Sequence, residues 1–251
     1  MCSNSNCYVT FFQFYWPITG ICAIIFQFIL LYLIHYKSPA TLDNLKCFLY
    51  NTSFIQIILY TSAFVSQHRL LSNTTSAAVL SIGPCSYIGH RFCFMNYHVF
   101  MATSFAAGSA ISITVLFRSL VLVQNQVTAN QTYIMVLASY IAPIALLVLP
   151  FTDKWDFETV QTATHIEHPT YNLSIYTSFS GFANVGSPQY LSATLLLSVG
   201  AYGIPIGCLL DPFISFYFIF PYRQAILDFF IPKRQSRVTS VTNNSTSGYN
   251  N

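Results

Sequence analysis

Five long apolar stretches alternate with shorter polar segments along the 251 residues. Each stretch holds about 20 mostly apolar residues, which is the length an α-helix needs to cross a hydrocarbon core of ~30 Å. The pattern therefore predicts an all-α integral membrane protein, a helical bundle. The predicted spans lie near residues 11–34, 47–66, 92–117, 133–151 and 190–220.

The last apolar stretch, Tyr190 to Tyr222, is the least regular. It is too long for one straight span and is interrupted by Gly203, Pro205, Gly207 and Pro212. It contains one formal charge, Asp211, which is followed by Pro212. The stretch is therefore either one kinked span or pieces of two.

Charge placement favours a single crossing. Only 7% of the residues are charged, against about 25% in soluble domains, so the few that are present carry the topology signal. With the N-terminus outside and five spans, seven lysines and arginines fall on the cytoplasmic side and three outside. A second crossing would move the four basic residues of the tail outside and invert the balance.

The first apolar run is too long for a signal peptide and is predicted to be an uncleaved span.

Two spans carry signs of helix packing. The second is polar inside, with Asn51, Thr52, Ser53 and Gln56, so it is predicted to face other helices rather than lipid. The third has small residues at helical spacing, which let helices approach closely. This suits a central helix of a bundle, although a tightly packed helix pair would show the same spacing. The small residues are Ala102, Ala106, Ala110, Ser104, Gly108 and Ser112.

Apolar residues recur at helical spacing after Pro221, with Arg223, Gln224 and Asp228 on the opposite face. This predicts an amphipathic helix over 223–231, lying on the inner leaflet beyond a transmembrane bundle of 1–222. The polar, low-complexity residues 232–251 are expected to be a disordered cytoplasmic tail.

No catalytic motif is present, and neither an enzyme nor a cofactor is predicted. No basic cluster is interleaved with aromatics, which argues against nucleic-acid binding. Cys85, His90, Cys93 and His98 fit no common zinc spacing, so no metal site is expected. A Cys85–Cys93 disulfide is favoured over two free thiols because both cysteines lie on the oxidising side, with Cys2 or Cys7 as alternative partners.

Two Asn-X-Ser/Thr sequons, at Asn73 and Asn172, fall on the predicted outer side and are expected to be glycosylated. Four further matches, at Asn51, Asn130, Asn243 and Asn244, fall in the membrane or cytosol and are expected to stay bare.

Two charged residues at the membrane have open roles. Arg118 follows the third span and is either an interfacial anchor or a cytoplasmic contact residue. Asp211 is either a functional intramembrane carboxylate or a hydrated residue near the interface.

Several segments resemble the nematode seven-transmembrane chemoreceptors of the Str superfamily, most closely the serpentine receptor class delta (Srd). The resemblance covers most of the sequence. It lies in KSPATLDNLKCFLYNTSFIQ, HRLLSNTTSAAVLSIGPCSYIGHRFCFMNYHVF, SAISITVLFR, EHPTYNLSIYTSFSGFANVGSPQYL and DPFISFYFIFPYRQAILDFF.

The resemblance implies a receptor in the plasma membrane of sensory cilia that binds a small molecule and signals through a heterotrimeric G protein. By depth in the membrane, the implied ligand-binding candidates are Tyr97, His98, Met101 and Phe105. The implied residues on the G-protein side are Arg118, Asp211, Pro212, Tyr222 and Arg223.

The sequence departs from the family pattern in its span count. Seven spans are expected, but the fifth runs into the second half of a seventh near Cys208–Leu209, so the sixth is missing. Arg118 is followed by Ser119-Leu120 rather than completing an Asp-Arg-Tyr motif, and 152–189 contains no cysteine.

Three functions follow from these features. The first is a chemosensory receptor with impaired coupling. The second is a truncated form that associates with and traps full-length receptor, in homo- or hetero-oligomers, or that is retained in the endoplasmic reticulum. A transporter or channel is disfavoured because internal repeats and charged residues within spans are scarce.

Overall fold

The computed structural model describes residues 7–39, 43–124, 128–152, 154–176, 178–198, 211–217 and 219–230. Nine α-helices, three short 3₁₀ helices and three strands are found in these residues. The helices are α1 (Cys7–Lys37), α2 (Asp43–Ser66), α3 (His90–Gln124), α4 (Ala129–Ala138), α5 (Ile141–Val148), α6 (Phe157–Glu167), α7 (Pro188–Ser198), α8 (211–217) and α9 (Phe220–Phe230). The strands are β1 (His68–Ser72), β2 (Ala77–Ser81) and β3 (Ser178–Phe182).

Within the described residues, four helical segments are long and apolar enough to cross a membrane: Phe14–Lys37, Asp43–Ser66, His90–Phe117 and Ala129–Val148. They correspond to the first four predicted spans. The predicted fifth span includes residues 199–210, which lie outside the described residues.

Helices α1, α2 and α3 form the packed centre of the bundle, with the most extensive contact between α2 and α3. Small residues make this contact close: Ala102, Ala106 and Ala110 of α3 are all buried. The polar side of α2 faces the same interior, since Thr52 and Gln56 are also buried.

The fourth span is broken rather than continuous. Helix α4 ends at Ala138 and α5 begins at Ile141, with a turn between them. Pro143 explains the break because it has no N–H to donate to the carbonyl of Ser139, four residues earlier. The span also begins earlier than the predicted residue 133, because the Thr128 side chain caps α4 by accepting a hydrogen bond from the Gln131 backbone N–H.

A three-stranded antiparallel sheet in the order β1-β2-β3 caps one end of the bundle. Strands β1 and β2 come from the connection between α2 and α3, and β3 comes from the connection between α5 and α7. Pairing of β2 with β3 therefore places both connections at the same end of the molecule. No secondary structure was predicted for either connection.

Helix α6 covers one face of this sheet. Val160 of α6 packs in a buried cluster with Ala78 and Leu80 of β2 and with Leu173 and Tyr176. This second, smaller core lies outside the spans and ties the two connections together.

The short helix α9 lies against the end of α1 that is distant from the sheet. Tyr222 is fully buried there and donates a hydrogen bond from its hydroxyl to Ser38 Oγ at 3.2 Å. Arg223 and Asp228 are exposed on the opposite side. The helix begins at Phe220, three residues before the predicted start, because Pro221 is tolerated in a first helical turn. Residues 231–251, including the predicted tail, lie outside the described residues.

Candidate functional site

An aromatic cluster fills the bundle beneath the sheet. His68 at the start of β1 has its ring centroid 4.5 Å from Phe100 and 5.0 Å from Tyr97, both on α3. Trp16 of α1 stacks on the same imidazole at 6.3 Å. Phe182 of β3 closes the cluster from the sheet side, 6.2 Å from Tyr97. The cluster therefore joins α1, α3 and two strands through their rings.

His68 is the titratable group of this cluster that lies outside the spans. Burial lowers its pKa from 6.5 to about 4, because the surrounding rings cannot solvate an imidazolium ion. Its Nδ1 lies 3.2 Å from Ser66 Oγ, the last residue of α2. The imidazole is therefore neutral at pH 7.

The predicted ligand-binding residues lie on α3 in and below this cluster. Tyr97 is 1% exposed and Met101 is 3% exposed, and both belong to the main apolar core. His98 is 6% exposed and contacts the rings of Phe94 and Phe182. Phe105 is half-buried. These side chains are packed against protein in this conformation, so a ligand would have to displace rings to reach them.

A polar network crosses the apolar bundle between α1, α2 and α8. Gln27 Nε2 donates to Gln56 Oε1, and Gln56 Nε2 donates to Asp211 Oδ2 at 3.4 Å. Both glutamines are fully buried. The two amides are aligned in series, each with its N–H donor directed toward the carboxylate.

Gln27 is not among the predicted site residues, although an amide in the middle of the first apolar span is a usable signal.

A cavity of about 190 Å³ lies beside Asp211. Polar atoms reach it from Thr52 of α2, Thr114 of α3 and Ser215 of α8. These positions lie in the first half of α2 and the last part of α3, so the cavity is in the half of the bundle opposite the sheet. It is small and mixed in polarity, with an acidic residue on its wall.

The residues predicted for the G-protein side lie in the half of the molecule opposite the sheet. Asp211 and Pro212 are the first described residues of α8, and Pro212 is buried. The buried ring of Tyr222 packs against α1, and its hydroxyl donates to Ser38, so this residue fastens α9 to α1. Arg223 is exposed, with its guanidinium 5.3 Å from the centroid of the Phe220 ring. Arg118 lies in α3, but its side chain is outside what the structure describes.

Cys85 and Cys93 form a disulfide with a Cα–Cα distance of 5.1 Å. It links the short 3₁₀ helix Pro84–Tyr87 to the first turn of α3. Both sulfurs are consumed, so the zinc set of Cys85, His90, Cys93 and His98 cannot form. Among the described residues, no group of three His, Cys, Asp or Glu side chains comes together to hold a metal.

The two predicted glycosylation sites lie in different environments. Asn73 is 7% exposed, in the turn between β1 and β2. Asn172 is exposed, just before a short 3₁₀ helix.

Comparison with known proteins identifies the family. Residues 12–210 match the family model described as serpentine type 7TM GPCR chemoreceptor Srd. The chain belongs to this family. The Srd resemblance seen in the sequence is thereby confirmed, and the helical membrane fold agrees with it. The chain is a multi-pass membrane protein of a chemoreceptor family rather than of an enzyme family.

Several Srd relatives from Caenorhabditis elegans are similar to this chain. Serpentine receptor class delta-59 is 57% identical over 325 aligned positions, which cover all of both chains. Serpentine receptor class delta-50 is 30% identical over 73% of this chain and 57% of its own length. Serpentine receptor class delta-51 is 26% identical over 78% of this chain and 58% of its own length. No solved structure matches the chain.

This Srd chain is shorter than the relative that it matches from end to end. The alignment with class delta-59 has 325 positions and the chain has 251 residues, so at least 74 positions have no counterpart here. The family-model match ends at residue 210, immediately before Asp211.

Proposed function

We propose that this protein is a chemosensory receptor-like protein for small environmental molecules that couples poorly, or not at all, to a heterotrimeric G protein. Membership of the Srd family supports the chemosensory part and implies a ligand and a G protein as partners in general. The 57% identity to class delta-59 over the full alignment, with at least 74 positions missing from these 251 residues, supports the loss of coupling.

The missing positions are assigned to the sixth span and its loops. The predicted join near Cys208–Leu209 lies outside the described residues, but the family match ends only two residues beyond Cys208. In serpentine receptors, activation opens a cytoplasmic cleft by movement of the sixth span. A chain without that span keeps its outer sheet and central helices but lacks the moving part.

We expect the protein to lie in the plasma membrane of sensory cilia, with its N-terminus outside and its C-terminus in the cytoplasm. The sheet end then faces outward, where the aromatic cluster around Tyr97 and His98 is the candidate ligand region. The Asp211 cavity and the exposed Arg223 then face the cytoplasmic half, where Arg118 is the further candidate contact.

A matched pair of proteins tests the coupling defect without knowledge of the ligand. The first is this chain, and the second is the same chain with the extra segment of class delta-59 inserted between Cys208 and Leu209. We expect basal guanine-nucleotide exchange on a co-expressed Gα subunit to rise only with the second protein. Equal exchange from the uninserted chain would refute the defect. Sequencing the transcript across the codons for Cys208 and Leu209 shows whether an exon is skipped.

A regulatory role is the second candidate. The cavity beside Asp211, lined by α2, α3 and α8, has room for about one side chain, so a helix of a longer relative could insert a residue there. Such a chain would associate with full-length receptor and hold it in the endoplasmic reticulum. Co-precipitation with class delta-59, together with a fall in its surface level on co-expression, would support this role. An unchanged surface level would exclude it.

A further inference from the structure

The end of the bundle that carries the sheet has two sequons that the sequence alone does not distinguish. Asn73-Thr74-Thr75 forms the turn between β1 and β2, and Asn172-Leu173-Ser174 lies in the connection that leads to β3. Both satisfy the same three-residue rule. Their side-chain contacts, however, are opposite in kind.

The side-chain nitrogen of Asn73 is already occupied. Nδ2 donates to Ser76 Oγ at 2.8 Å and to Thr164 Oγ1 at 3.0 Å. A neutral amide nitrogen has two hydrogens, so these contacts use both. The residue is 7% exposed, and a glycan on this nitrogen would need both space and one of those hydrogens.

The next residue, Thr74, also holds the β1–β2 turn to α6. The backbone N–H of Thr74 donates to Glu167 Oε2 at 2.8 Å, and its hydroxyl donates to the same oxygen at 2.9 Å. Thr164 and Glu167 are three residues apart on α6, so they present one face of the helix to the turn. The sequon therefore fastens the first connection to the second.

Asn172 shows the reverse arrangement. Its side chain is exposed, and its Oδ1 accepts a hydrogen bond from Ser174 Oγ. Its Nδ2 has no partner within the part of the chain that the structure describes. The nitrogen that would be modified is thus available, and the sequon hydroxyl already contacts the amide.

We propose that Asn172 carries an N-linked glycan, whereas Asn73 stays bare and acts as a side-chain clasp between the β1–β2 turn and α6. Glycosylation would form a bond from Nδ2 of Asn172 to C1 of a sugar on a lipid-linked diphosphate donor. The C1–O bond to the diphosphate breaks, and the diphosphate leaves as the amide loses one proton. The proposal requires the sheet end to face outward but does not depend on G-protein coupling.

Glycan counting tests the assignment in the full chain expressed in animal cells. We expect N-glycosidase treatment to shift the wild-type chain by one glycan. Asn172→Gln and Ser174→Ala should each abolish the shift, and Asn73→Gln and Thr75→Ala should each leave it unchanged. Two glycans on the wild type, none, or loss of the shift in Asn73→Gln would each overturn the proposal.

A second measurement tests the clasp independently of the sugar. Asn73→Ala and Thr75→Ala both destroy the sequon, but only the first removes the hydrogen bonds, because Thr75 is exposed and contacts Val185 through its backbone carbonyl. We expect Asn73→Ala to lower the thermal midpoint in detergent by about 2–4 °C and Thr75→Ala to leave it unchanged. Equal midpoints for the two variants would refute the clasp.

Thr164→Val completes the test because it keeps the sequon and removes one acceptor. We expect it to lower the midpoint as Asn73→Ala does and to make a fraction of the chains carry a second glycan. A wild-type midpoint in this variant would contradict the role of Thr164 in the clasp.

Discussion

The Gln56 amide is buried between two partners: it accepts a hydrogen bond from Gln27 and donates one to Asp211. A buried amide that loses a partner is costly, because no water replaces it in the interior of a membrane bundle. The network thus fixes the relative positions of α1, α2 and α8 more specifically than apolar contact does. The sequence signalled Gln56 and Asp211, but their pairing across 155 positions is visible only in the fold.

Gln56→Leu should destabilise the bundle. It leaves the Gln27 amide without its acceptor, so we expect a loss of roughly 1 kcal/mol in the free energy of unfolding, measured in detergent. Thr61→Val, on the exposed side of α2, is the matched control and should change little. The double variant Gln27→Leu/Gln56→Leu should lose less than the sum of the two single variants. Strict additivity would contradict the pairing.

Stability should fall on acidification because of His68. Its pKa is about 4 in the folded protein and 6.5 when unfolded, so between these values the unfolded chain binds more protons. The free energy of unfolding that depends on neutral His68 is therefore fully present above pH 6.5 and is lost as the pH falls toward 4. At pH 5 the loss is about 2 kcal/mol. Thermal midpoints between pH 7 and 5 measure it, and His68→Gln should flatten that dependence. An equal slope in both proteins would contradict this origin.

At the scale of elements, the sheet converts two surface connections into one structured unit. The strands are only five residues each, and β2 is buried along its whole length between its two neighbours and α6. Its sequence, Ala-Ala-Val-Leu-Ser, lacks the alternation that marks a half-buried strand. A fully buried short strand cannot be distinguished from a helix fragment by periodicity, so the sheet was not predictable from pattern.

Gly181 makes the close pairing of β2 and β3 possible. Its φ of +149° is a conformation that side-chain-bearing residues rarely adopt, and a Cβ there would lie 2.1 Å from the Ala77 carbonyl oxygen. Gly181→Ala should therefore destabilise the sheet by roughly 2–4 kcal/mol through backbone strain and overpacking. Gly89→Ala is a useful control, because that glycine has φ +129° but open space around its Cβ position.

Hydrogen exchange in β2 and β3 measures the effect of Gly181→Ala. Exchange should accelerate in both strands for Gly181→Ala. It should accelerate less for Gly89→Ala, because an alanine there has the strained positive φ but no steric clash of its Cβ. Unchanged protection in Gly181→Ala would show that the strands can separate slightly without loss of pairing.

At the scale of the whole molecule, the two ends of the bundle differ in kind. One end has the sheet, the disulfide and the aromatic cluster, and the other has the Asp211 cavity and α9 with its exposed Arg223. We expect the second end to face the cytoplasm, because the positive-inside rule assigns the excess of basic residues in the sequence to that side.

Epitope accessibility measures the orientation directly. A tag before Met1 should be detected on intact cells, and a tag after Asn251 only after permeabilisation, because five spans are predicted between them. Detection of both tags on intact cells would indicate an even number of spans and would contradict the five-span topology. A tag inserted at exposed Thr75 should behave as the N-terminal tag does.

The sequence by itself determined the class of protein and its family. The scarcity of charge and the length of the apolar runs leave a helical membrane bundle as the only arrangement that satisfies every backbone group in lipid, and the Srd family match agrees with it. These properties are local, since the length and composition of each run of about 20 residues indicate a membrane span without reference to the rest of the chain.

Only the tertiary structure decided which residues meet. The sheet joins segments about a hundred residues apart, Asn73 reaches Thr164, and Tyr97 and Met101 face the packed core rather than an open cavity. Such contacts depend on how the spans pack side by side, and no local pattern encodes that. Asn73 and Asn172 therefore match the same sequon equally well. Only the packing shows that the Asn73 amide is buried and hydrogen-bonded through its nitrogen, whereas the Asn172 amide is exposed.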